Sequence, residues 1–209
     1  MKKELGHFYI GNSYGGNQDW FRTFMMRLGG CGAETACDSS IYFALHKGFA
    51  GLYPYSLDEI KRKEYVNFAH MMENYLWPRM SGIDRLEIFV DGYGKYLKDS
   101  GVDGISMEML DGSRPFEEAA AALRNQIDNG IPVPMLVLNI KYRELKDYNW
   151  HWFLVNGYDL NGEEMKVKAV TYSEYEWIDF RKLWETGYER RGGLILFRVD
   201  ENDQAKADY

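Results

Sequence analysis

Cysteine is scarce in this chain: Cys31 and Cys37 are the only two among 209 residues. That scarcity excludes a disulfide-stapled scaffold and a cysteine-built zinc site. The two lie about 240° apart around a helix, so a bridge between them requires a non-helical segment. They read as reduced thiols of a cytoplasmic protein. Histidine is equally sparse, and His7, His46, His70 and His151 include no pair at metal-ligand spacing, so neither metal nor cofactor is expected. Basic residues are in deficit, 25 Lys and Arg against 32 Asp and Glu for a formal charge of -7. Nucleic-acid binding rests on clustered cations that displace counterions, so a nucleic-acid partner is excluded. Apolar runs never approach the roughly 20 residues that span a bilayer, and no membrane association is expected. The start, Met1-Lys2-Lys3-Glu4-Leu5-Gly6-His7, offers polar residues where a signal peptide needs an apolar core.

What is present suffices for one sizeable core: 45% of the residues are hydrophobic, and one domain over 1–209 is the expectation. Residues 7–30, rich in glycine and aromatics, read as a loop-rich entry. Small and apolar positions Ala33, Ala36, Cys37, Ser40, Ile41 and Ala44 then recur at helical spacing up to Gly48, which places Cys31 at a helix start. Ser56-Leu57-Asp58-Glu59 has the form of a capping box ahead of the stripe Tyr65, Phe68, Ala69, Met72 and Leu76. A third helix is predicted from about Asp84 to Leu97, and a fourth from Ser113 and Pro115 to Ile127, stopped by Asn129-Gly130. After Gly130 the segments 132–140, 150–158, 165–172, 176–178 and 194–199 are strand-like, interrupted by a short helix at 180–184. Asp159-Leu160-Asn161-Gly162 is a hairpin signal that pairs His151 with Tyr172 or with Val170, depending on the loop. Helices over about 31–129 followed by an antiparallel sheet over about 131–199 make an α+β pattern. The polar tail 200–209 is expected to fray.

Two segments bear on chemistry. Cys31 stands in Gly29-Gly30-Cys31-Gly32 at a helix N-terminus, where free N–H groups and the helix dipole favour a thiolate and the glycines leave the sulfur approachable. A small buried hydrophobe at a tight turn is the alternative reading of the same residue. Cys37 falls on the small apolar stripe and reads as packing. His151 lies in an aromatic strand that would fix an imidazole as a base or hold it as a hydrogen-bonded core residue. Gly11-Asn12-Ser13-Tyr14-Gly15 fits Gly-x-Ser-x-Gly, but nothing around Ser13 offers the central strand and following helix that a nucleophile elbow needs.

Together these segments resemble the papain-like cysteine peptidase superfamily, in the branch related to bacteriocin-processing endopeptidases. Gly30-Cys31-Gly32-Ala33 is similar to the Cys-Gly-Pro-Ala start of that family's nucleophile helix, with Ala33 where proline is frequent. Gly130-Ile131-Pro132-Val133 resembles its Gly-x-Pro-Val segment. His151 with Val155-Asn156-Gly157-Tyr158-Asp159 resembles its His-x-x-x-Val-x-Gly-Tyr-Asp strand. The resemblance implies a papain-like fold and a thiol hydrolase acting on peptide or small acyl substrates, with Cys31 as nucleophile and His151 as base. It also implies a glutamine as oxyanion donor, for which Gln18 is the nearest candidate and Asn17 the fallback. Gln18 precedes Cys31 by more than the family spacing, so residues 21–28 must form an extra turn or loop. The family's asparagine or aspartate on the following strand is missing, which leaves Thr171, Ser173 or Glu174 to orient the imidazole. A noncatalytic papain-like binding module and an amine-directed acyltransferase on the same dyad stand as alternatives.

Overall fold

Fourteen consecutive buried residues, Cys31 to Ala44, run through the middle of the protein as a helix with no solvent face. The side chains are small enough (Gly32, Ala33, Ala36, Ser39, Ser40) for the sheet and the other helices to close around it. The computed structural model describes residues 1–79 and 82–200, so the tail expected to fray lies, from 201 on, outside the described residues.

The elements in chain order are β1 (Lys2–Glu4), the hairpin β2 (Tyr9–Ile10) and β3 (Ser13–Tyr14), α1 (Phe24–Gly29), the central α2 (Cys31–His46), α3 (Arg62–Met72), α4 (Leu86–Asp99), β4 (Ile105–Asp111), α5 (Phe116–Asp128), β5 (Val133–Val137), β6 (His151–Asn161), β7 (Glu164–Thr171), β8 (Glu174–Asp179), α6 (Phe180–Trp184) and β9 (Gly192–Val199). The main sheet is antiparallel in the order β4-β9-β5-β6-β7-β8, with β1 paired to the far end of β6. The fold is α+β, with the buried apolar side chains gathered in one cluster.

Three expectations are corrected. The sheet is not confined to the region after residue 131, because β4 forms an edge strand and β1 enters from the N-terminus. Helix α3 starts at Arg62, since the Ser56 hydroxyl accepts from the Asp58 amide in a local turn instead of capping a helix. The β6–β7 register also differs: Asn161 pairs with Glu164, and beyond a bulge at Asn156-Gly157 Leu154 pairs with Val170. Leu154–Val170 is the last pair of that ladder, so no β7 residue stands opposite His151, whose cross-strand partner is Val137 of β5. The bulge sits where β6 changes neighbours from β5 to β1, and a Cβ on Gly157 would lie 2.9 Å from the Lys3 carbonyl oxygen.

Buried Lys168 pins the N-terminal segment to this sheet. Its Nζ donates to Glu4 Oε2 (2.9 Å) and to the Tyr14 hydroxyl (2.8 Å) and lies 4.0 Å from the centre of the Tyr175 ring. The β2–β3 hairpin contains Ser13, with Gly11 in its turn, so the Gly-x-Ser-x-Gly pattern is a surface hairpin and no nucleophile elbow.

Candidate active site

Gly30 ends α1 and begins α2 at once: its N–H donates to the Met26 carbonyl (2.8 Å) and its carbonyl accepts from Glu34 (2.9 Å). A Cβ there would overlap the Met26 carbonyl and meet the Phe21 ring at 2.9 Å, so only glycine allows the corner. The corner delivers Cys31 to the first position of α2, 6% exposed. Its sulfur lies within reach of the backbone N–H of Trp152, the residue after His151. Thiol and imidazole therefore share one corner of the fold, where α2 meets the start of β6.

His151 is buried, and its Nε2 lies 2.8 Å from Thr171 Oγ1. Among the described residues that contact leaves Nδ1 as the available nitrogen. The Tyr172 ring stacks on the imidazole, 4.9 Å between centres and 3° from parallel. Of the other orienting candidates, Ser173 directs its hydroxyl to the Gly16 carbonyl (3.4 Å), and Glu174 begins β8 as an exposed residue. Neither Ser173 nor Glu174 hydrogen-bonds His151 among the described residues.

Gln18 is buried and donates Nε2–H to the Arg27 carbonyl (2.8 Å), while its Oε1 is buried without a partner among the described residues. One amide proton is thus committed to α1. Asn17 accepts from the Asp19 amide (2.8 Å), an engagement local to its own turn.

The electrostatics depart from the expectation of a ready thiolate. Burial pushes the Cys31 thiol up to about 11, aided by the Glu34 charge and only partly opposed by the N–H groups of Trp152, Gly32 and Cys31 itself. Burial pushes His151 down to about 4. A helix N-terminus contributes about 0.3–1 kcal/mol, too little to offset desolvation of a buried charge. At rest, therefore, both groups are neutral, Cys31 as a thiol and His151 as an imidazole. Burial likewise pushes the fully buried Cys37 thiol well up.

Sequence reasoning passed over a buried acidic row on the same helix. Glu34, 3% exposed, accepts from the Gln18 amide (2.9 Å) and the Tyr172 amide (3.2 Å), tying the Gln18 turn to the segment over His151. Asp38 accepts from the Tyr65 hydroxyl (2.8 Å) and the Gly16 amide (3.1 Å). The His7 side chain is buried with Nε2 3.7 Å from Asp38 Oδ2. The available signal was the i, i+4 spacing of two carboxylates on a helix otherwise built of small residues.

Burial first, then the neighbouring Asp38 charge, raise Glu34 to about 8 against hydrogen bonds that lower it. The folded state keeps this proton between about pH 4.5 and 8 while the unfolded chain loses it, so stability falls with rising pH there, by at most about 1.4 kcal/mol per unit. His151 acts oppositely: between 6.5 and about 4 the unfolded chain takes up a proton that the folded state refuses, so stability falls as pH falls. The two slopes oppose each other from about 4.5 to 6.5, leaving the Glu34 decline exposed from 6.5 to 8. Urea titrations at stepped pH should show that decline, and Glu34→Gln should remove it.

Backbone strain gathers at the same place. The non-glycine residues with positive φ among the described residues are Trp150 (54°), Tyr172 (52°) and Ser173 (69°), flanking His151 in sequence and in space. Such conformations cost on the order of 1–3 kcal/mol each and persist where the surroundings over-determine them. Here the Tyr172-Ser173 turn is held by Glu34, by the Ser173 amide on the Gly16 carbonyl (2.7 Å) and by the Tyr14 amide on the Ser173 carbonyl (2.8 Å). Ser173→Gly should relieve part of the strain and stabilise the fold by about 0.5–1 kcal/mol in urea unfolding.

A cavity of about 320 Å³ opens onto Cys31, walled by Met25, Leu28, Pro78, Ile83 and Trp150. Among the described residues no group of three or more His, Cys, Asp or Glu is arranged to hold a metal ion, and no helix is long and apolar enough to cross a membrane. Comparison with protein-family models, with curated proteins and with solved structures finds no match to this chain.

Proposed function

We propose that the protein is a papain-like thiol hydrolase or acyltransferase acting on peptide or related acyl substrates. The observation that carries the reading is the His151 arrangement: Nε2 is held by Thr171, the ring is stacked on Tyr172, Nδ1 is left without a partner among the described residues, and the next residue, Trp152, turns its N–H to the thiol of Cys31, which lines a cavity. Thr171 takes the place of the asparagine expected from the resemblance.

The neutral resting pair dictates the order of events. The Cys31 proton passes to His151 Nδ1 as the sulfur attacks the acyl carbon, forming the S–C bond and an oxyanion. The Cys31 N–H and the remaining Gln18 amide proton are the donors for that oxygen. Collapse breaks the bond to the leaving nitrogen or oxygen, which receives the proton from the imidazolium. Water, or an amine, then attacks the thioester, gives its proton to His151, and releases the acyl product with the thiol restored. A noncatalytic binding module is favoured by one feature alone, the high thiol and low imidazole affinity for protons in the unliganded site.

An activated ester such as p-nitrophenyl acetate tests the reading without a known substrate. A burst of nitrophenolate with one acyl group mapped to Cys31 supports it, and acylation of Cys37 or of lysines alone overturns it. Thr171→Val should slow the Cys31 burst about tenfold, the equivalent of one hydrogen bond of about 1.4 kcal/mol to the base, with the nitrophenolate stoichiometry unchanged.

A further inference from the structure

The segment between Gln18 and Cys31 folds as α1, which has no place in the family pattern that the sequence resembles. Its solvent-facing side carries, beside Arg27, two large apolar side chains: Phe24 and Leu28, one turn apart, are each 68% exposed. Exposed side chains of this size on a six-residue helix contribute little to folding. Two of the helix's residues, Met25 and Leu28, instead form one wall of the cavity at Cys31. Pro78 and Ile83 form a second wall, and Trp150, 43% exposed and held at positive φ, a third. The Trp150 ring is held in place by its Nε1–H on Asn139 Oδ1 (3.1 Å). Arg79 is the one charged side chain among the described residues lining the cavity.

A volume of about 320 Å³ accommodates a large side chain. Because Cys31 is part of the lining, the group best placed to fill the cavity is the one bound covalently to its sulfur, the acyl half of the substrate. The leaving half departs after the first step. Resting on the thiol acyl-transfer reading, we propose that α1 is a substrate-binding element and that the protein selects acyl donors with a bulky apolar side chain next to the carbonyl attacked by Cys31. An aliphatic or aromatic residue displaces water from Leu28, Ile83 and Trp150, whereas a basic side chain meets Arg79 and no carboxylate lining the cavity.

Peptidyl acyloxymethyl ketones that differ only in the residue beside the ketone test this. Cys31 displaces the carboxylate, forming a thioether and losing its thiol proton, so the rate of label at Cys31 reads the fit of that residue. Leucine and phenylalanine probes are expected to label Cys31 at least about tenfold faster than glycine, aspartate or lysine probes, the discrimination an apolar pocket supplies. Leu28→Asp and Met25→Asp, at exposed and half-buried positions, should collapse the preference to less than about threefold. Alkylation of Cys31 by iodoacetamide, measured on each variant, supplies the intrinsic thiol reactivity to which its probe rates are normalised. Equal rates across the probes, a preference for aspartate or lysine, or a preference that survives both variants overturns the assignment while leaving the thiol reading intact. Failure of every probe at a Cys31 that iodoacetamide still alkylates overturns both.

Discussion

His151→Ala is expected to slow acylation of Cys31 by about 10²–10⁴, the range a positioned base contributes. The effect should exceed that of any other single change at the site except loss of the sulfur itself. A thiol pushed up to about 11 holds its proton at neutral pH, so attack without an acceptor for that proton is confined to a minute thiolate population. The variant should therefore recover activity as pH is raised towards the thiol's own ionisation, whereas the native protein gains far less. Rates of nitrophenyl ester acylation between pH 6 and 10 distinguish the two profiles. Equal pH dependence in both proteins would show that the imidazole takes no part in the proton transfer.

Gly16→Ala is expected to destabilise the fold by about 3 kcal/mol or more. The added methyl would overlap the Tyr65 hydroxyl and its ring carbon and lie 2.8 Å from Asp38 Oδ1, in the middle of a buried hydrogen-bonded group with no space to yield. Tyr65→Phe alone should cost less, since it removes one buried hydrogen bond. In the double variant the obstructing oxygen is gone, so Gly16→Ala on the phenylalanine background should cost visibly less than on the native one. Urea unfolding of the four proteins measures the coupling, and strict additivity would mean that the methyl is opposed by the ring carbon, which phenylalanine keeps, or by Asp38 rather than by the hydroxyl. The Gly16 carbonyl also receives the Ser173 amide, so the same variant should loosen the turn over His151 and slow the acylation of Cys31.

Much of the architecture was legible because its signals are local. The small residues of α2, the hairpin at 159–162 and the strand-rich second half each follow from propensity and turn chemistry within a few residues. What escaped was set by distant partners. The register of β6 and β7 depends on a bulge that exists because β1 approaches Gly157, a contact more than 150 positions away in sequence. β4 is different: Ile105-Ser106-Met107-Glu108-Met109 alternates apolar and polar, the pattern of a strand with one exposed face, and this readable signal was passed over between two helices. At the site, Cys31, His151 and Thr171 each had a readable reason to be noticed. Glu34 and Asp38 offered only their i, i+4 spacing, a weak signal because a carboxylate on a helix is ordinarily a solvated one. Their burial follows from α2 being enclosed on every side, a property of the packed molecule that no periodicity along the helix announces.

The closed, uncharged thiol has a bearing on oxidative wear. Peroxides attack the thiolate, and a group pushed up to about 11 is ionised in only about one molecule in ten thousand at neutral pH. Cys31 should thus convert to sulfenic acid far more slowly than an exposed active-site cysteine that rests as an ion pair. On the proposed acyl-transfer reading, the sulfur becomes a target only while His151 takes its proton, with an acyl group bound at the cavity. A protein built this way keeps its reactive sulfur through long idle periods in an oxidant-containing medium, and its damage should scale with turnover instead of time.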